Sequence, residues 1–161
     1  MQIPSRILLI LLGAPNTDDG ILLPVALSRC ELVCKLYATL SQPDIVLTGG
    51  YGDHFNRTNR PHWSYLKENL LAHAVSPSSI IDTIDTRHTI DDISMLAVQS
   101  YVKQYSSLIF VTSDFHVCRV GILACRLVRV EYSVIGARTP PSVNYDELLA
   151  GEFERLGKML G

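Results

Sequence analysis

Leu108-Ile109-Phe110-Val111-Thr112-Ser113-Asp114-Phe115-His116-Val117-Cys118-Arg119 is the stretch whose reading decides the fold. Four apolar residues with no polar alternation describe a strand buried on both faces, the habit of parallel strands covered by helices. A helical pattern follows at once. A hydroxyl, a carboxylate, an imidazole and a guanidinium are therefore delivered to the carboxyl end of that strand, the edge at which ligands bind in open α/β sheets. His116 and Arg119 stand i, i+3 and share a face of the helix's first turn, beside backbone N–H groups that lack intrahelical partners. Cations are misplaced there unless an anion compensates, so the segment predicts an anion-binding site.

The same alternation extends outward over the chain. Strand patterns fall at 6–12, 45–48, 80–84, 108–112 and 130–135; helical patterns fall at 24–40, 62–74, 90–105, 115–128 and 145–160. This βαβα order predicts an α/β fold, a Rossmann-like three-layer domain with a mostly parallel five-stranded sheet and right-handed crossovers. Asp82 and Asp85 suit the third strand to an edge. In the first helix Leu23, Leu27, Cys30, Cys34 and Leu40 trace an apolar stripe. A doubly wound strand order sets the first and fourth strands side by side, with Gly13-Ala14-Pro15-Asn16 across a crevice from Ser113-Asp114-Phe115-His116. Thr48-Gly49-Gly50-Tyr51-Gly52-Asp53-His54 forms a side wall, and Thr139-Pro140-Pro141-Ser142 is a stiff link to the last helix.

The 161 residues suit one domain, 1–161, and a content of 47% hydrophobic and 19% charged residues suits a sheet covered on both faces. The net charge of −2, with no basic cluster interleaved with aromatics, argues against a nucleic-acid partner. The apolar stretch 7–14 falls short of the roughly 20 residues of a membrane span. A polar turn, not a cleavage site, follows it, so the expectation is a cytoplasmic chain, or one expressed without a membrane segment that lay upstream. Cys30 with Cys34 (i, i+4) and Cys118 with Cys125 (i, i+7) have buried-face spacing and no C-x-x-C pair, which favours structural cysteines. His54, His62, His73 and His88 have no metal spacing and read as surface or wall residues.

His116 and Asp114 are the catalytic candidates, with His116 expected as a neutral imidazole that donates one hydrogen bond and accepts another. Gly13, Asn16, Arg29, Gly49, Gly50, Thr89, Asp92, Ser113 and Arg119 are the ligand-binding candidates. Blander readings compete with several of them. Ser113 or Asp114 suits a helix cap, Thr89 with Asp92 resembles a capping box, and Arg29 suits a helix surface as well as a crevice. The glycine run is not a G-x-G-x-x-G fingerprint, because no helix opens directly after it. Asp18-Asp19 and Asp91-Asp92 have the oxygen ligands Mg²⁺ takes, although nothing in the spacing demands a metal, and none is assigned.

The order Gly13, Asp19-Gly20, Leu27-Ser28-Arg29, Val46-Leu47-Thr48-Gly49-Gly50, His88-Thr89-Ile90-Asp91-Asp92 and Thr112-Ser113-Asp114-Phe115-His116-Val117-Cys118-Arg119 resembles the YdcF/SanA/ElyC family, DUF218. The resemblance spans about 7–135. It implies a Rossmann-like fold with a pocket at the strand carboxyl edge, and it supports Arg29, Gly49, Gly50, Thr89, Asp92, His116 and Arg119 as pocket residues. It further implies a bacterial protein linked to envelope or polysaccharide metabolism and an S-adenosylmethionine-type or nucleotide-type ligand. Arg60-Pro61-His62-Trp63 departs from the Ser-Glu-Ala-like stretch of many relatives.

The leading expectation is an enzyme acting on a phosphorylated or nucleotide-like small molecule. Arg29 and Arg119 grip anionic oxygens, Gly49 and Gly50 lend backbone donors, and His116 transfers a proton. The alternative is a binding module for an S-adenosylmethionine-type or nucleotide ligand without chemistry. A methyltransferase is disfavoured, because no acid follows the second strand to hold a ribose.

Overall fold

The computed structural model describes residues 6–161. Five parallel strands, β1 (Ile7–Leu11), β2 (Asp44–Thr48), β3 (Ile80–Ile84), β4 (Ser107–Ser113) and β5 (Tyr132–Ala137), lie in the order β3-β2-β1-β4-β5. They alternate with helices α1 (Pro24–Thr39), α2 (His62–Ala72), α3 (Thr89–Ala97), α4 (Val117–Leu127) and α5 (Tyr145–Leu160). The chain is thus a Rossmann-like three-layer α/β domain. β1 is central because both its faces are apolar. Leu8, Ile10 and Leu12 pack with Ile93 and Leu96 of α3 and with Val120, Leu123 and Ala124 of α4. Leu9 and Leu11 pack with Cys30 and Val33 of α1 and Leu66 and Leu70 of α2 on the other side. Each such fully buried aliphatic side chain contributes roughly 1.5–3 kcal/mol.

β1 pairs directly with β4, so the strand order reverses between them and their following loops diverge around a crevice. β3 occupies an edge, and its Asp82 is exposed enough to accept a hydrogen bond from Tyr101 Oη at 2.7 Å. No helix of the described residues is long and apolar enough to cross a membrane.

Several local expectations are corrected. The helix expected over 90–105 ends at Ala97, with Val98 79% exposed, and a one-turn 3-10 helix, Ser100–Gln104, follows. The break lets Val102 and Tyr105 face the core and Tyr105 Oη reach Asp44 at 2.7 Å. Cys118 and Cys125 are exposed, because the core-facing residues of α4 are Val120, Leu123 and Ala124, on the opposite side of the helix. On α1 the buried residues are Ala26, Arg29, Cys30 and Val33, whereas Leu27 is 43% exposed and Leu23, just before the helix, is 37% exposed.

Thr112, next to the site-bearing end of β4, is fully buried, and its Oγ1 is the one buried side-chain polar atom without a partner among the described residues. A buried hydroxyl without a hydrogen bond costs about 1–3 kcal/mol. Thr112→Val removes it at constant shape and is expected to raise the unfolding free energy by about 1 kcal/mol, read from urea midpoints. A loss of stability would show that the hydroxyl has a partner.

Candidate active site

The loops after β1, β2, β3 and β4 enclose a cleft of about 520 Å³, within the range of small-molecule sites. Arg29, Asp92, Arg119 and Glu152, with the imidazole of His116, give it a polar side. Leu23, Val25, Phe55, Phe115, Val143 and Leu148 give it apolar walls.

His116 closes a one-turn 3-10 helix, Asp114–His116, that joins β4 to α4, and only 5% of it is exposed. Its Nδ1 lies 2.6 Å from Glu152 Oε2, and its Nε2 lies 3.1 Å from Thr89 Oγ1. A carboxylate only accepts, so the Nδ1 proton belongs on the Glu152 side. Nε2 then carries the lone pair toward the Thr89 hydroxyl, a tautomer assigned from the partners. Burial first, and then the charges of Arg29 and Arg119, hold the imidazole below its ordinary value against the opposing pull of Glu152. The shift favours the neutral imidazole, which donates from Nδ1 and accepts on Nε2.

Glu152, on α5, was not foreseen. It is 4% exposed and receives Arg119 Nε at 2.7 Å on Oε2, with Arg119 Nη2 at 3.0 Å and Arg155 Nη1 at 3.1 Å on Oε1. Burial alone would push its carboxyl up. The hydrogen bonds and charges of His116 and Arg119 outweigh burial and hold it at about 2. The anion that compensates the basic residues at this helix start is therefore a side chain of the same protein. The sequence carried a signal for it, a carboxylate at i+4 between Leu148 and Leu156 on one stripe of an amphipathic helix.

Arg119 is accordingly a positioning residue whose fork is engaged by Glu152, not a free grip for a ligand. Arg29 is different. Its Nε donates to Ser113 Oγ at 2.8 Å, and its Nη1 donates to Leu12 O at 3.1 Å and Gly13 O at 2.6 Å. No carboxylate pairs with it among the described residues, and its Nη2 has no hydrogen-bond partner among them. Only 4% of it is exposed, at the cleft, and burial lowers its guanidinium to about 10 against the favourable charges of Asp92 and Glu152. A buried guanidinium with no carboxylate bonded to it favours an anionic group in the cleft that it lines.

Asp114 turns away from the cleft. Its carboxylate accepts from Thr139 N at 3.0 Å, from Thr139 Oγ1 and from Phe115 N, which anchors the chain leading to α5. It is a brace rather than a partner of His116. Ser113 caps nothing and accepts from Arg29. The capping box of α3 is absent. Thr89 is the helix's first residue rather than its cap, its hydroxyl meets His116, and Asp92 accepts from Thr86 Oγ1. Asp92, 7% exposed, is pushed up to about 6 by burial, against the hydrogen bonds of Thr86 and Thr48 and the charge of Arg29.

The two glycines offer no donors. Gly49 N donates to Ile84 O at 3.1 Å and Gly50 N to Thr86 O at 2.8 Å. Gly49 is glycine because its φ is +118° and a Cβ would sit 2.8 Å from His62 Cδ2. His62 itself is fully buried and not a surface residue. It donates from Nδ1 to Asn16 Oδ1 at 2.7 Å and accepts on Nε2 from Ala14 N at 3.2 Å. Asn16 belongs to this scaffold, and its Nδ2 donates to Asn56 Oδ1 at 3.1 Å. Gly13 does line the cleft, with its N–H directed to Thr48 Oγ1 at 3.3 Å.

Mg²⁺, which the sequence leaves open, finds no gathered set of oxygen ligands among the described residues. Asp18 is bonded to Arg57, Asp91 accepts from Arg87 N and Asp92 from Thr86; no three His, Cys, Asp or Glu side chains gather as a metal cage among the described residues. β2 runs directly into Gly49 and Gly50, and the first carboxylate after it, Asp53, does not line the cleft where a ribose would need it. No protein-family model, curated protein or solved structure matches the chain.

Proposed function

We propose that the protein is an enzyme acting on a small molecule that carries an anionic, phosphate-like group and an apolar or nucleoside-like body, with His116 as its proton-transfer residue. The observation that carries this reading is Arg29, a buried guanidinium at the cleft floor without a carboxylate partner. An anionic oxygen placed there gains a charge-assisted hydrogen bond from an already desolvated donor. The apolar walls take the rest of the molecule, and His116, neutral and oriented by Glu152, stands beside it to take or give a proton. Membership of the YdcF/SanA/ElyC family, with its bacterial and envelope associations, belongs to the same proposal. It is supported by the position of Arg29, Gly49, Thr89, Asp92, His116 and Arg119 around one cleft.

The test is thermal unfolding with inorganic phosphate, nucleoside monophosphates, sugar phosphates and S-adenosylmethionine, alongside native mass spectrometry for a co-purifying ligand. A phosphate compound at 100 times its Kd is expected to add about 2.7 kcal/mol of stability. Arg29→Met is expected to abolish that increment and Arg29→Lys to retain part of it. Equal stabilisation of Arg29→Met and wild type would overturn the anion role. Stabilisation of the wild type without conversion of any ligand would favour a binding module.

A further inference from the structure

We infer that Thr89 is a nucleophile: Thr89, His116 and Glu152 form a hydroxyl–imidazole–carboxylate relay that cleaves a carboxylic ester through an acyl-Thr89 intermediate. This deepens the reading above and rests on it for the anionic part of the substrate. The three groups come from three separate elements, the first residue of α3, the turn before α4 and the middle of α5. They meet in one chain of contacts, 3.1 Å from Thr89 Oγ1 to His116 Nε2 and 2.6 Å from His116 Nδ1 to Glu152 Oε2. All three line the cleft.

The direction of the relay follows from the hydrogen-bond inventory. Glu152, an acceptor at 2.6 Å, outweighs the longer 3.3 Å approach of Arg119 Nη2 and sets the proton on Nδ1, so the Nε2 lone pair faces a hydroxyl that has one proton to give. Arg119 holds Glu152 through both carboxylate oxygens, which keeps the imidazole from turning. The Thr89 hydroxyl occupies Nε2 at 3.1 Å until acylation consumes its proton and opens that position to a water. The arrangement therefore favours the protein's own hydroxyl as the attacking group.

Thr89 also stands at a strand–loop–helix junction after β3. The first-turn N–H groups of α3 have no intrahelical acceptors, and the helix's bonding to preceding chain begins with Asp92 N to His88 O at 3.1 Å. The Ile90 N–H, one residue beyond the nucleophile, has no acceptor among the described residues and is the donor the proposal assigns to the oxyanion.

In the step, Thr89 Oγ attacks the ester carbon and its proton passes to His116 Nε2, while the carbonyl electron pair moves to oxygen. Collapse of the tetrahedral species breaks the carbon–oxygen ester bond, and the departing alkoxide takes the proton from Nε2. Water then attacks acyl-Thr89 through the same imidazole, releasing the carboxylic acid and restoring the hydroxyl. The leaving or acyl portion carries the anionic group toward Arg29.

The full chain is treated with 4-nitrophenyl acetate and, separately, with an alkyl fluorophosphonate, and labelled peptides are read by mass spectrometry. A nitrophenolate burst equivalent to the enzyme and a single acyl or phosphonyl mark on Thr89 are expected. Thr89→Ser should keep the mark, whereas Thr89→Val and His116→Gln should lower the labelling rate by about 100-fold or more. Thermal melts establish that each variant is folded. No mark, a mark on another residue, or undiminished labelling of a Thr89→Val chain with that mark elsewhere overturns the inference. Anion stabilisation without a Thr89 mark removes the nucleophile and leaves the proposed function standing. A Thr89 mark in a chain that no phosphate compound stabilises keeps the nucleophile and removes the anionic substrate class.

Discussion

His116→Ala is expected to lower kcat by about 10²–10⁴ while the protein still folds and still binds its anionic ligand, because general acid–base transfer is worth that much and Arg29 is untouched. The imidazole is the only group in the cleft that both accepts from a hydroxyl and donates to a fixed carboxylate among the described residues. Its removal leaves Glu152 held by Arg119 and Arg155 and leaves Thr89 facing the cleft. The cost in stability is therefore about that of one or two buried hydrogen bonds, roughly 1–3 kcal/mol. The pH profile of the wild type carries a second readout. Activity requires the neutral ring, and burial with two neighbouring guanidiniums lowers its pKa against the pull of Glu152, so kcat should rise with pH through a midpoint below 6.5. Glu152→Gln should lower kcat and displace that midpoint, because the amide can present a donor to Nδ1 and exchange the tautomer. Unchanged kcat in His116→Ala, with melting temperature preserved, would remove His116 from the chemistry.

The sheet was legible because its evidence is local. An uninterrupted apolar run such as Leu8 to Leu12 means burial on two sides, and the polar Asp82 in β3 means an edge. The cleft was legible for the same reason, since strand carboxyl ends gather wherever strands run parallel. Hydrogen-bond partners were not legible, because they are fixed by tertiary approach. The anion implied by His116 and Arg119 lies 36 positions from His116 along the chain, at Glu152 on the buried stripe of a helix whose pattern over 145–160 says nothing of what its carboxylate meets. Gly49 and Gly50 looked like donors until β3 and its following loop took both N–H groups. Asp114 and Glu152 exchanged parts. The nearer carboxylate in sequence braces Thr139, and the remote one orients the imidazole.

The second large effect concerns His62, and it appears in stability rather than turnover. This ring is fully buried between the first and second loops, and burial, reinforced by the charge of Arg29, pushes it down to about 4 from 6.5. Its neutral form satisfies both nitrogens, Nδ1 toward Asn16 Oδ1 and Nε2 from the Ala14 N–H. A second proton on Nε2 would set donor against donor. Between pH 6.5 and about 4 the unfolded chain binds a proton that the native chain refuses, so the stability His62 contributes is complete above 6.5 and declines as the pH falls through that window. The full shift corresponds to up to about 3 kcal/mol. Asp92 acts with the opposite sign. Its folded value of about 6 lies above the ordinary 3.8, so the native state takes up its proton first and stability rises as the pH falls across that interval. The wild-type curve sums both effects, and the informative quantity is the difference from His62→Asn. That variant should be the less stable at pH 7, and the gap should close by up to about 3 kcal/mol on acidification to pH 4, measured by urea unfolding across the range. A gap that stays constant with pH would mean that His62 titrates alike in the folded and unfolded chains. Because Ala14 and Gly49 both line the cleft and both pack against this ring, acid that protonates His62 should also loosen the wall facing Arg29. Anion binding should then weaken along the same pH interval in the wild type and less steeply in His62→Asn.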